Sequence, residues 1–412
     1  MVHTDAGTKF CKLIMVTENN NNKFYDMVEN PDGSFSCTWG RVDLTSTVTH
    51  YPASKGFEKV RQSKIKKGYK DVTDFRVLTA SKVDFATLGT DAIAQIVEEL
   101  QRYANASVSS NYSISSDAVT QKQVDEAQRI IDDLIPLIKM GANTRKINES
   151  LLDLYQVIPR KMYHVQDHLV RVDAIQTLGD EKDVDRLIAD EQATLDVMKG
   201  QVHVATVQKD QTQDDKKTIL DALGIEIFQT TPDDVKIIKK QLGGCKSQYR
   251  RSFKVVNKKT QTAFDKHVEK STNKSRQLLW HGSRNENWWS IISSGLIIRP
   301  SNVVLTGSMY GSGVYGSSFA KKSIGYSSVK GSYWARGNSS VGFIGIYDFH
   351  IGKQLIVDKH GSWCYQLSTN LLKKKGDYDS VYAPAGYDLR NPETIVYDIR
   401  KTTIKYLVKI EG

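Results

Sequence analysis

At 412 residues the chain has room for two or three domains with separate cores, and its 39% hydrophobic and 25% charged residues are those of an ordinary soluble globular protein. No apolar run approaches membrane-spanning length, the start from Met1 to Phe10 is too polar for a signal peptide, and Cys11, Cys37, Cys245 and Cys364 form no Cys-x-x-Cys pair, which argues against a zinc module or a disulfide framework and fits a reducing compartment. The net charge of +10 divides into +3 over residues 1–80, −9 over 81–215 and +16 over 216–412, a pattern of separate modules in which an acidic middle can pack against or shield a basic neighbour.

Residues 1–80 read as a small β-rich module. Lys12–Val16, Lys23–Val28 and Phe35–Val42 are strands, separated by the polar turn Asn19–Asn22 and by Pro31-Asp32-Gly33. From Lys55 to Lys70 the sequence predicts a Lys-rich helix and its exit turn at Gly68-Tyr69. Such a helix is usually a solvated face, and Trp39 can equally be a core residue. Yet Trp39-Gly40-Arg41 sets an aromatic plane, a pliable backbone and a cation on one strand edge, which suits stacking on an exposed base or sugar and a clamp on phosphate. Trp-Gly-Arg-Val followed by a Lys-rich helix ending in Gly-Tyr resembles the WGR domain of DNA-dependent poly(ADP-ribose) polymerases. The resemblance implies Trp39, Arg41, Lys55 and Lys59 as nucleic-acid-binding residues.

Residues 81–215 read as helices. Ile93, Ile96, Val97 and Leu100 predict one over 91–103, the Ser- and Asn-rich stretch 105–116 a loop, and Thr120 an N-cap. Val124, Ala127, Ile131, Leu134 and Ile138 predict the next helix, which Pro136 should kink or end early. Further helices are predicted over 147–157, 167–175 and 183–198, and Gln208 to Lys217 reads as a linker. His164 and His168 stand four apart but without the intervening Glu of a metalloprotease motif, so the metal reading is weak. The stretch from Glu149 to Arg160 resembles the helical regulatory domain that precedes the catalytic domain in the same polymerases.

In residues 216–412 the sequence predicts helices over 233–242, 288–295 and 319–326. It predicts strands over 251–256, 341–349, 353–358, 379–383, 394–399 and 403–410, the last alternating cleanly. A further strand ends in Leu278-Leu279-Trp280-His281-Gly282-Ser283, which hands a His, a free backbone and a hydroxyl to one spot. Two more blocks follow, Met309-Tyr310-Gly311-Ser312-Gly313-Val314-Tyr315-Gly316 and Asn391-Pro392-Glu393-Thr394-Ile395-Val396-Tyr397-Asp398. Each alone is unspecific: a strand-end His is usually structural, and a Tyr after Gly usually packs.

Together the three blocks resemble, in order and context, the His-Tyr-Glu triad of the poly(ADP-ribose) polymerase family, from Leu278 to the C-terminus. The resemblance implies a multidomain α+β chain. Its parts are a WGR-like nucleic-acid-binding domain (1–80), an all-α regulatory bundle (81–215) and an α+β ADP-ribosyltransferase domain with two packed antiparallel sheets (216–412). It implies NAD⁺ as substrate and no metal. The catalytic residues would be Glu393, His281 and Tyr315. Glu393 would stabilise the oxocarbenium-like transition state by its charge and polarise an incoming ribose hydroxyl. His281, Gly282, Ser283, Asn287, Ser290, Arg299, Tyr315, Ser323 and Tyr326 would bind NAD⁺, and Met309, Tyr326 and Glu393 would shape the acceptor site.

The chain departs from the family pattern in places. Arg299 stands two positions from the usual Arg, Ser290 replaces a Gly, and Ser312 replaces the Lys of Gly-Lys-Gly. The segment between Val381 and Glu393, which borders the acceptor site, is short. The chain ends at Lys409-Ile410-Glu411-Gly412, without the Trp tail that directs some relatives to Ser, so Asp and Glu acceptors are expected.

The leading expectation is a monomeric ADP-ribosyltransferase stimulated by DNA breaks (5′-phosphorylated nicks or ends), modifying proteins including itself and elongating the product. It would be nuclear in a eukaryote and otherwise cytoplasmic with access to nucleic acid. Mono-ADP-ribosyl transfer, a DNA-end scaffold with an inactive transferase domain, and an NAD⁺ glycohydrolase stay open as alternatives.

Overall fold

The computed structural model describes residues 3–5, 8–73, 88, 91–114, 116–139, 143–171, 178–209, 218–298 and 309–412. They fall into two compact units, Met1–Ala80 with Ser107–Val202, and Ser81–Ala106 with His203–Gly412. Among the described residues no helix is long and apolar enough to cross a membrane.

The first unit opens with strands β1 (His3–Asp5), β2 (Thr8–Thr17), β3 (Asn21–Glu29), β4 (Phe35–Arg41), β5 (Ser46–Tyr51) and, after helix α1 (Phe57–Lys66), the short β6 (Lys70–Asp71). They form one antiparallel sheet in the order β1-β2-β3-β4-β5, with β6 on the same edge of β2 as β1. Period-two alternation buries Leu13, Tyr25, Met27, Phe35 and Cys37 against Phe57 of α1. Trp39 shares the parity of Phe35 and Cys37 but is 40% exposed, its indole N–H donating to Thr49 Oγ1 at 3.1 Å. Lys55 and Lys59 are exposed.

The helices are α2 (Ala92–Asn111), α3 (Gln121–Lys139), α4 (Thr144–Val157) and α5 (Leu178–Lys209). Thr120 caps α3 as expected, its Oγ1 accepting from Gln123 N while Gln123 Oε1 accepts from Thr120 N. Two expectations fail here, and one is narrowed. The predicted loop at 105–116 is helical as far as Asn111, because Ala104, Val108 and Tyr112 present a buried stripe that outweighs the weak propensity of Ser and Asn. Of the two outcomes expected of Pro136, a kink or an early end, the early end does not occur, since α3 continues to Lys139. Instead of a helix at 167–175 there is a four-residue 3-10 turn, Val165–His168; residues 172–177, like most of the predicted linker, lie outside the described residues.

This turn is held by the β-rich sheet. Arg41 Nη1 donates to the Asn20 carbonyl at 2.6 Å and Nη2 to the carbonyls of Tyr163 (2.9 Å) and Met162 (3.3 Å). Asn20 Oδ1 accepts from Val165 N at 3.0 Å, and Asn22 Nδ2 donates to the Arg160 carbonyl at 3.0 Å. Arg41 is thus occupied by backbone oxygens of its own unit. Arg41→Ala is expected to destabilise this unit by about 2 kcal/mol, since charge-assisted hydrogen bonds are lost and carbonyls left unpaired. A thermal melt within error of the wild type would dismiss this docking role.

The second unit contains α6 (Ile219–Leu223), β7 (Ile225–Gln229), α7 (Pro232–Leu242), β8 (Tyr249–Asn257), α8 (Lys258–Lys270), β9 (Arg276–Gly282) and α9 (Trp288–Ser294). Then come β10 (Val314–Gly316), α10 (Ala320–Ile324), β11 (Val341–His350), β12 (Gln354–Ile356), α11 (Thr369–Gly376), β13 (Ser380–Ala383), β14 (Glu393–Val396) and β15 (Thr402–Glu411). The strands make a five-stranded antiparallel sheet, β7-β8-β15-β11-β9, and a four-stranded one, β10-β14-β13-β12. The second sheet corrects the expectation of purely antiparallel pairing: β12 and β13 run parallel, α11 supplying the crossover.

Trp280, Ile344, Ile346, Val408 and Ile410 pack with Ile238 and Leu242 of α7, while Val381, Ala383 and Ile395 pack with Cys364, Leu367 and Leu372. The beginning of α2 belongs to this unit: Glu99 accepts from Lys409 Nζ at 2.7 Å, and Tyr103 sets its ring edge-on to Phe343 at 6.3 Å.

Candidate active site

The two sheets of the second unit meet where β9 and β10 end. Trp280 and Ser317 exchange backbone hydrogen bonds of 2.8 and 3.0 Å, and Ser317 Oγ donates to the Pro392 carbonyl at 2.8 Å. One junction therefore fixes all three blocks: His281 follows Trp280, Tyr315 lies two residues before Ser317, and Glu393 follows Pro392. In the second sheet Tyr315 is opposite Ile395, and Glu393 opposite Ala383.

His281 Nδ1 lies 2.9 Å from the Tyr315 carbonyl. A carbonyl can only accept, so Nδ1 carries the proton. Burial lowers the His281 pKa, more than offsetting the opposite effect of that hydrogen bond. The ring is accordingly neutral near pH 7, and its Nε2 lone pair is an acceptor suited to a sugar hydroxyl. A Cβ on Gly282 would run into the Ser323 carbonyl, so the β9 backbone can lie this close to α10 only as glycine. Gly311 has φ +78° and would likewise strike the Leu367 carbonyl. This lets the loop before β10 fold flat, and Tyr315 Oη closes it by donating to the Gly311 carbonyl at 2.7 Å and accepting from Tyr310 N at 3.0 Å.

Glu393 is only 7% exposed. Burial raises its pKa, opposed by Lys322, whose Nζ sits 2.6 Å from Oε1. A carboxylate in so dry a site acts strongly on any positive charge that develops nearby. Burial, with Glu393 adding to it, also pushes the Tyr315 and Tyr326 phenols far above their ordinary range, so both rings stay neutral.

Around this centre Ser283 Oγ accepts from Asn287 Nδ2 at 2.9 Å, and Ser323 is buried. Ser290 is half-buried on α9, and the Met309 carbonyl accepts from His360 Nε2 at 2.8 Å. Arg299 lies outside the described residues. The proposed nucleic-acid residues Trp39, Arg41, Lys55 and Lys59 belong to the other unit. Among the described residues no cluster of three or more His, Cys, Asp or Glu could hold a metal.

Two neighbours escaped the sequence reading. Lys322 pairs with Glu393 through the fold alone; in sequence nothing separates it from Lys321. Trp334 stacks on Tyr326, with ring centroids 5.9 Å apart and planes at 15°, and backs that aromatic face. The signal for Trp334 was present as an aromatic pair, Tyr333-Trp334, in a polar Gly-Ser loop.

Residues 233–336 match the model of the poly(ADP-ribose) polymerase catalytic domain. Over 161 residues the chain is 33% identical to the poly [ADP-ribose] polymerase-like protein 100L of invertebrate iridescent virus 6, covering 38% of this chain and 83% of that one. It is 38% identical over 175 residues to the uncharacterised protein 101L of the same virus, 42% of this chain and 74% of that one. With the poly [ADP-ribose] polymerase of Drosophila melanogaster it shares 24% identity over 320 residues, 70% of this chain but 30% of the fly protein.

Proposed function

This chain belongs to the poly(ADP-ribose) polymerase family and is an NAD⁺ ADP-ribosyltransferase; from that premise we propose that it attaches ADP-ribose to Asp and Glu side chains of proteins, itself included, elongates the product, and is stimulated by DNA breaks. The observation that carries the reading is that one junction fixes both the buried Glu393 carboxylate and a neutral His281 whose Nδ1–H is held by the Tyr315 carbonyl.

The glycosidic bond of NAD⁺ breaks with its electron pair going to the nicotinamide nitrogen, and the positively charged ribose left behind faces Glu393. A carboxylate acceptor attacks C1′ with no proton to lose. A ribose hydroxyl, the acceptor for elongation, must give one up, and Glu393 is the nearby group that can polarise it. His281 Nε2 accepts from a hydroxyl of the adenosine ribose, and the Tyr315 and Tyr326 rings flank the nicotinamide.

Stimulation by DNA is read from the exposed Trp39, Lys55 and Lys59 of the β-rich module. Arg41 would contribute by fixing the turn at 162–165 to that module. In this reading α2, whose residues divide between the two compact units, carries the coupling.

Automodification with labelled NAD⁺, with and without 5′-phosphorylated nicked DNA, tests the proposal. The expected result is a ladder that depends on DNA. A single DNA-independent band would leave a mono-transferase and remove the DNA claim; free ADP-ribose without labelled protein would favour a glycohydrolase.

A further inference from the structure

The loop that carries Met309 rests on residues 360–367. His360 Nε2 donates to the Met309 carbonyl at 2.8 Å, Gly311 lies against the Leu367 carbonyl, and Tyr310 shares a core with Cys364 and Leu367. The Cys364 and Leu367 side chains face inward. Their neighbours on the same 3-10 turn, Ser362–Gln366, face out: Trp363 is 37% exposed and Tyr365 is 47% exposed.

Neither aromatic belongs to a core. Tyr365 touches His360 edge-on, with ring centroids 4.8 Å apart, and Lys375 at the end of α11 holds its ammonium 4.2 Å from the Trp363 ring centroid. Five lysines and two aspartates lie between residues 353 and 378, and Lys373, Lys374 and Lys375 are all exposed. A third carboxylate, Asp388, is engaged by the His360 N–H at 2.6 Å. Solvent-facing aromatic rings interleaved with lysines, one edge from a loop of the reaction centre, form a surface for a molecule that alternates flat bases with phosphates.

We propose that Trp363, Tyr365 and Lys375 form a ledge that holds the last ADP-ribose unit of a growing chain, adenine on an aromatic face and pyrophosphate on the lysines. The inference rests on the elongation reading given above. The ledge sits behind Met309, so a chain whose terminal ribose is offered to Glu393 passes it on the way out. It supplies by stacking and charge what the short segment between Val381 and Glu393 does not.

The test combines two measurements on the full chain, for wild type, Trp363→Ala/Tyr365→Ala and Lys375→Glu. The first is binding of a fluorescein-labelled short ADP-ribose oligomer, by polarisation, against a single-stranded DNA of equal charge. The second is product length, with nicotinamide release as the control. We expect the double variant to bind the oligomer about tenfold more weakly, Lys375→Glu to show a smaller loss, chains to shorten, and nicotinamide release to stay at the wild-type rate. Unchanged oligomer binding in both variants overturns the ledge. So does DNA binding as tight as oligomer binding and equally reduced in the variants, which would make this a general nucleic-acid surface. If the wild type adds only one ADP-ribose, the elongation reading fails, while the oligomer measurement still decides whether the ledge exists.

Discussion

Glu393→Gln is expected to lower kcat for nicotinamide release roughly 10²–10³-fold, with the KM for NAD⁺ within about threefold of the wild type. The amide keeps the shape and hydrogen-bonding reach of the carboxylate but not its charge, and the charge matters only once the ribose becomes cationic. Elongation should suffer more than attachment to a carboxylate, because only the hydroxyl acceptor needs a proton moved. Steady-state kinetics on the purified variant, with a melting curve to show that it is folded, checks this. A fall in kcat of less than tenfold would remove Glu393 from the chemistry.

Lys322→Met is expected to have the largest effect on stability. At neutral pH it strips the Lys322 counter-charge from a buried carboxylate, a loss of about 3–5 kcal/mol for a broken buried pair. The sign with pH follows from Glu393, whose folded pKa is already raised by burial and loses the opposing pull of Lys322. The folded variant then binds a proton more readily than the unfolded chain, so its deficit is full above the raised pKa and shrinks as pH falls through it.

The acid limb of kcat/KM moves the same way. In the wild type, activity is lost as pH falls through the raised Glu393 pKa and as His281 protonates below its ordinary value of 6.5. In Lys322→Met the Glu393 limb shifts to higher pH. Melts and rates from pH 5 to 8 test both statements together. A variant as stable at pH 8 as at pH 5, with an unmoved rate profile, would show that Lys322 does not govern Glu393. Adding Glu393→Gln should restore part of the stability, since no buried charge is then left alone.

The three blocks were readable in sequence because close backbone contacts restrict them: Gly282 and Gly311 have no alternative residue, and the strands beside them are almost wholly apolar. What was missed is of two kinds. The edge strand β5, Ser-Thr-Val-Thr-His-Tyr, buries no residue and so shows no alternation, and α8 has Phe264 as its only buried side chain in a Lys- and Thr-rich stretch. The other kind is visible only after folding. The Lys322–Glu393 pair spans 71 positions, and Arg41 reads as a free cation until the turn at 162–165 closes over it.

The helix α2 carries one more consequence, for dissection of the chain. Its residues 92–106 belong with the transferase sheets, where Glu99 meets Lys409 and Tyr103 lies against Phe343, although 110 positions separate residue 106 from residue 216, where the sequence pattern opens the last module. A fragment cut at residue 216 would therefore shed part of its own outer wall. It would bare the Phe343 ring and leave Lys409 without its acid, and it would be prone to self-association. Splitting the chain by what packs together, rather than by order along it, requires carrying the start of α2 in trans.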